Sequence, residues 1–167
     1  MSLLKSLEKE DLPFLHRIQS DLVIKKLTQG YLFPHALEST HDWFASIANP
    51  GSLPKTLYWA IKENDKFLGY CNLHNIDWIN RHSELGIIII EPSKGYGSRA
   101  LQELERFAFL TYGFRKIYAR VLGCNQPAIA LFSKNGFNLE GRLIADHFFN
   151  GIWVDNLVYA KYTEGSS

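Results

Sequence analysis

The chain has 167 residues, which suits one domain, or at most two small ones, with a hydrophobic core of its own. At 46% hydrophobic and 14% aromatic, it excludes an intrinsically disordered protein. Its formal net charge of +1, from 18 Lys+Arg against 17 Asp+Glu, leaves no basic surplus for a nucleic-acid backbone and no acidic surplus for a polycation.

Taken in chain order, residues 3–7 predict a first strand. Asp11 is the expected cap of a helix carrying Phe14, Leu15 and Ile18. Residues 28–36 read as a loop. Ser39 or Thr40 is the expected cap of a second helix bearing Trp43, Phe44 and Ile47, and the Pro/Gly-rich residues 49–54 end it. Three runs follow, at 57–62, 67–76 and 83–90. Their short connections predict an antiparallel meander.

Beyond Ile90 a glycine-rich loop leads into a helix over 98–112, with Leu101, Leu104, Phe107, Ala108 and Tyr112 near one face and Gly113 as its stop. A strand over 116–122 and a helix over 125–134 come next. The last stretch contains Asn150-Gly151 between apolar runs, the signature of a two-residue type I′ hairpin turn. The strand–helix–strand unit around the glycine loop should be parallel and the flanking strands antiparallel. The expected fold is α/β (α+β): a mixed, mostly antiparallel central sheet flanked by helices on both faces. A single domain should span 1–163, with 164–167 as a loose tail.

Cys71 and Cys124 form no CxxC pair, and no Cys/His cluster has zinc spacing, so two buried free thiols and no metal are expected. The N-terminal segment is too charged for a signal peptide, and no apolar stretch approaches the roughly 20 residues of a membrane span. The expected compartment is the cytoplasm, with neither membrane nor nucleic acid as partner.

Gly95-Tyr96-Gly97-Ser98-Arg99-Ala100 follows an apolar strand and opens a helix. Glycines there let backbone N–H groups approach an anion, and the helix dipole favours a pyrophosphate. Lys94 and Arg99 add positive charge. Two other readings compete. A Rossmann site matches the glycine spacing, but no acid ends the next strand. A purely structural strand-to-helix turn stays open on the loop alone.

What surrounds the loop resembles the GNAT superfamily of N-acetyltransferases. The loop is similar to that family's [Q/R]-x-x-G-x-[G/A] acetyl-CoA loop. The segment from Asn125 through Ala128, Lys134 and Gly136 to Phe137 is similar to its N-x-x-A…K-x-G-F segment. Glu140-Gly141 and the hairpin ending in Asp155 and Tyr159 resemble a branch holding ribosomal-protein N-terminal, spermidine and nucleotide-amino-sugar acetyltransferases. Ser83-Glu84-Leu85-Gly86-Ile87 resembles that branch's A-E-x-G-I strand. The match spans roughly residues 5–163. Two departures stand out: Pro92 replaces the usual Gln or Arg in a loop about two residues short, and Phe132 stands where many relatives carry Tyr.

The resemblance implies direct attack of an amine on the thioester of acetyl-CoA, a co-substrate, in a ternary complex. It assigns the pyrophosphate to Gly95, Tyr96, Gly97, Ser98 and Arg99. The pantetheine arm falls to Ile88, Ile90 and Asn125, with a backbone N–H polarising the carbonyl, and Phe132 and Lys134 are further cofactor-binding residues. Asn125 is also a helix cap in its own right. Glu84, in an apolar strand where burial would raise its carboxyl, is the expected base acting through water, with His74 second. Phe132 cannot protonate the leaving thiolate, a loss that an intrinsic thiol pKa of about 8.5 makes tolerable. Tyr31, Phe33, Trp78 and Trp153 are the expected acceptor walls. The acceptor is a small-molecule amine or a protein N-terminus, and a homodimer is left open. The rival class is an acyl-CoA-binding module with little catalysis.

Overall fold

The computed structural model describes residues 2–30, 32–91 and 95–163. Seven strands form one mixed sheet in the order β1-β2-β3-β4-β5-β7-β6. They are β1 (Leu4–Lys5), β2 (Leu57–Glu63), β3 (Lys66–Asp77), β4 (His82–Ile89), β5 (Lys116–Leu122), β6 (Asn138–Phe149) and β7 (Ile152–Tyr162). As expected, β2–β3–β4 is an antiparallel meander, and β4 and β5, joined through the glycine loop and a helix, are parallel. Asn150 and Gly151 both have positive φ, 49° and 87°, as a type I′ turn requires.

Five helices cover the sheet: α1 (Leu12–Ser20), α2 (Leu22–Leu27), α3 (Leu37–Ala48), α4 (Tyr96–Arg106) and α5 (Gln126–Lys134). A π-helical turn, Phe107–Thr111, extends α4. The period-2 alternation of the strands sorts the core into two layers. Ile61, Ile87, Ile89, Ile117, Ala119 and Val121 pack with α4 and α5, whereas Ala60, Phe67, Tyr70, Ile88 and Ile90 pack with α1 and α3.

Several local expectations are corrected. Asp11 precedes α1, but its side chain reaches back to Glu8 N–H (2.9 Å) and pairs with Lys62 (2.8 Å), so it ties a preceding 3-10 turn to β2. α2 lies in a stretch, 22–27, for which the sequence pattern predicts no element. Asp21 nucleates it by accepting from the N–H groups of Val23 and Ile24. α3 starts at Leu37 rather than after Ser39 or Thr40. Thr40 is fully buried and bonds His16, Gln19 and His35, which stitches α1 to α3. Cys71 is buried, and burial pushes its thiol up, but Cys124 is exposed because it lies in the turn between β5 and α5. Among the described residues, no helix is long and apolar enough to cross a membrane.

Candidate active site

β4 and β5 pair over three residues only, His82↔Lys116, Ser83↔Ile117 and Glu84↔Tyr118. Past Glu84 they part. β4 stays with β3 as far as Gly69↔Ile89, and β5 stays with β7 as far as Leu122↔Asn156. The wedge between them opens into a cleft of about 860 Å³. Its walls are the second half of β4, Ala119–Val121 of β5, the first turn of α4, the inner side of α5, and α2 with Thr28 and Gln29.

A sheet strand with no neighbour on one side turns alternate backbone groups into the gap. Ile90 N–H donates to Leu68 C=O at 2.9 Å, so its backbone faces β3. The two-residue period gives Ile88 the same direction and turns Ile87 and Ile89 toward the cleft. Ile88 lines the cleft, but Ile90 does not, and the side chains of both pack toward α1 and α3. The backbone contribution expected of Ile88 and Ile90 therefore moves by one residue, because a shift of one reverses the direction of every polar group on the strand.

At the far rim, Gly95 takes φ +73° as the residue before α4, and Gly95, Tyr96, Gly97 and Ser98 line the cleft. Gly95 gives α4 no side-chain cap, so no side chain there takes up the first N–H groups of the helix, whose first turn borders the cleft. Gly97 has a packing role as well. A Cβ there would lie 3.3 Å from Leu131 Cδ1, so the Leu131 side chain would have to give by a few tenths of an ångström. Arg99 does not line the cleft. Its Nη1 pairs with Glu63 Oε1 at 2.9 Å, and Tyr96 Oη donates to the same carboxylate, so both side chains anchor α4 to the end of β2. Pro92 and Lys94 lie outside the described residues, as do Tyr31 and residues 164–167.

Asn125 caps α5, accepting from Ala128 N–H at 3.2 Å, and its Nδ2 donates to Leu27 C=O at 3.4 Å. It thereby bridges α5 to α2 over the cleft. Phe132, 4% exposed, lies on the same wall, with its ring 5.2 Å from Phe137 and 6.4 Å from Tyr159. Lys134 lines the outer end of α5.

Glu84 sits where the strands diverge, 6% exposed. Arg120 Nε and Nη2 grip its two oxygens at 2.9 and 3.0 Å, Asn75 Nδ2 donates at 3.0 Å, and His74 Nε2 stands 3.5 Å away. Burial pushes the carboxyl up, but the contacts from His74, Arg120 and Asn75 outweigh it and hold the group at about 2. This corrects the expectation of a carboxyl raised by burial: the cluster converts Glu84 from a base near neutrality into a permanent anion. His74, Glu84 and Arg120 all line the cleft.

The acceptor walls also change. Trp78 packs against Tyr112 and Phe114 and donates its Nε1–H to Pro54 C=O, in the core beneath α4. Phe33 and Trp153 are 71% and 65% exposed and do not line the cleft. Arg120 and Gln29 were missed. Gln29 lines the cleft and binds Arg120 C=O and the buried Asn156. Strand alternation marks Arg120, since Ile117, Ala119 and Val121 fill the core on the other face of β5.

The family model described as the acetyltransferase (GNAT) domain matches residues 2–138. A spermidine N(1)-acetyltransferase of Vibrio cholerae is 28% identical over 156 residues, covering 91% of this chain and 87% of that protein. The structure of a V. cholerae spermidine N-acetyltransferase with CoA and spermine superposes with a TM-score of 0.87 at 22% identity, over 95% of this chain and 94% of that one. A ribosomal-protein alpha-N-acetyltransferase in complex with coenzyme A gives 0.85 at 20% identity, over 95% and 92%. The chain belongs to the GNAT acetyltransferase family. Within it, this protein is an acetyl-CoA-dependent N-acetyltransferase, transferring an acetyl group to an amine.

Proposed function

We propose that the amine attacks the thioester directly in a ternary complex, at the point where β4 leaves β5, and that the acceptor is a primary amine of a small molecule or a protein N-terminus. The carrying observation is the parting of the two strands beside an ionised, buried Glu84. In this reading the first turn of α4, at Gly95, Tyr96, Gly97 and Ser98, binds the pyrophosphate through backbone N–H groups. The pantetheine arm replaces the missing strand against Ile87 and Ile89, with Ile88, Asn125, Phe132 and Lys134 beside it. One of the freed N–H groups stabilises the oxyanion.

The acetyl-CoA itself supplies the activated carbonyl. Glu84 stays ionised at working pH, so it draws and orients the incoming ammonium and is too weak a base to act alone. His74 shares the cleft wall and brings an imidazole, the side-chain type suited to moving protons near neutrality. We therefore assign proton removal to the Glu84–His74 pair acting through water. Arg99 acts by anchoring α4 through Glu63. The free thiols suit a reducing compartment, and we place the enzyme in the cytoplasm.

A homo-oligomer is the second element of the proposal. The β6–β7 hairpin forms one edge of the sheet and exposes Leu143, Ile144, Phe148, Ile152 and Trp153, an apolar surface that favours a protein contact.

The test is thiol release from acetyl-CoA against a panel of amines, with the acetylated product detected by mass. Equal amounts of free CoA and amide support acetyl transfer to the amine, and initial rates whose double-reciprocal lines intersect rather than run parallel support direct attack in a ternary complex. Tight CoA binding with no amide from any amine would replace it with a non-catalytic acyl-CoA module.

A further inference from the structure

Beside the cleft, on the other side of β4, lies a second cavity of about 230 Å³ between the helices α1–α3 and the strands β3 and β4. Ile24, Thr28 and Ile88 line both spaces, so the two adjoin where the amine must meet the thioester. We infer that this cavity holds the body of the acceptor and selects a compact primary amine with one ammonium group and an aromatic or branched apolar body over a polyamine. The inference rests on the acetyl-transfer reading above and sharpens its acceptor.

The lining decides the chemistry. Its apolar wall is Ile18, Trp43 and Tyr70. The Trp43 and Tyr70 ring centroids are 6.4 Å apart, and Tyr58 meets Trp43 edge-on at 5.0 Å, so the aromatic surface is held in place. His35 and Lys25, among its polar groups, are already engaged. His35 Nε2 contacts Gln19 Oε1 at 3.0 Å and Thr40 Oγ1 at 2.9 Å, and Lys25 Nζ donates to Phe33 C=O at 3.1 Å. No carboxylate lies among its lining residues, and Lys25 brings a positive charge. Burial, and after it the charges of Lys25 and His16, lower the His35 pKa.

A polyamine carries further ammonium groups, and each would need an anion or water. The carboxylates of the adjoining cleft are Glu84, gripped by Arg120, and Glu91, paired with Lys66. One ammonium can meet Glu84 at the apex. A second would lie beside the like charge of Lys25, desolvated without an anion to meet it. The volume falls below the roughly 300–1,000 Å³ of drug-sized sites, which suits one ring or one branched alkyl group.

The experiment compares 2-phenylethylamine, 3-methylbutylamine, spermidine and a short peptide with a free N-terminus. The full chain is held at saturating acetyl-CoA, and amide is read by mass. The two mono-amines should exceed spermidine and the peptide in kcat/KM by about tenfold or more. Lys25→Glu, which places a carboxylate in the cavity, should move the spermidine-to-phenylethylamine ratio up by about tenfold with the CoA dissociation constant unchanged. Trp43→Leu gives a second reading should the first variant fail to fold: the KM for phenylethylamine rises while kcat holds. A preference for spermidine or the peptide, or a ratio that neither variant moves, overturns the inference and leaves the acetyltransferase reading standing. No amide from any of the four overturns both.

Discussion

Replacing Glu84 with Gln keeps the shape of the side chain and removes the charge on which Arg120, Asn75 and His74 converge. The carboxyl is held at about 2 against an ordinary 4.5. Holding the carboxyl that far down corresponds to roughly 3 kcal/mol favouring the folded state when the group is ionised. Because the Arg120 side chain is 42% exposed, solvent screens part of this, so about 1–3 kcal/mol is expected. The sign follows from the depressed pKa. The contribution is fully present above pH 4.5 and is lost as pH falls toward 2. Urea unfolding at pH 7 should therefore show Glu84→Gln less stable by about 1–3 kcal/mol, or a Tm lower by about 2–12 °C at the usual scaling for this size. The gap should narrow as the pH is taken to 3. Equal stability at pH 7, or a gap unchanged at pH 3, would refute the account of Glu84 as a clamped anion.

Four further outcomes follow from the same geometry. His74→Gln should lower kcat more than it raises KM; an unchanged kcat would take His74 out of proton transfer. Gly97→Ala places a Cβ against Leu131 and should weaken CoA binding by about tenfold, the equivalent of ~1.4 kcal/mol, measured by calorimetry. Phe132→Leu should cost about 1–3 kcal/mol of stability by leaving space beside Phe137 and Tyr159, yet keep kcat within about tenfold of the parent. A collapse in rate for Phe132→Leu without one for Glu84→Gln would reverse the assignments. Ile144→Lys should shift any oligomer toward the monomer in light scattering while the chain stays folded.

What the residues foretold and what they hid divide along physical lines. The meander, the parallel β4–β5 pair and the Asn150-Gly151 turn rest on local alternation, connection length and turn chemistry, all of which are carried by neighbouring residues. α2 escaped because Leu22 and Val23 are 58% and 67% exposed, so its six residues turn just Ile24 and Leu27 inward, and the cap at Asp21 was the remaining signal. Thr40 looked like a cap because its partners, His16, Gln19 and His35, are distant or belong to another element.

In the site, the glycine turn and the Asn125 cap were legible from spacing alone. The state of Glu84 was not, since Arg120 lies 36 residues away and reverses the effect of burial. The backbone direction on β4 turned on a single bond, Ile90 N–H to Leu68 C=O, which no side-chain pattern records. The tie of Arg99 to Glu63 likewise depends on where β2 ends beside α4.

The central claim is that the coenzyme's arm takes the place of a strand along the freed edge of β4. Amide hydrogen exchange with and without CoA reads that edge residue by residue. The account predicts that Ile87 and Ile89 exchange readily in the free chain and become protected when CoA binds, while Ile88 and Ile90 are protected throughout by β3. Protection of Ile88 and Ile90 on binding with no change at Ile87 and Ile89 would contradict it.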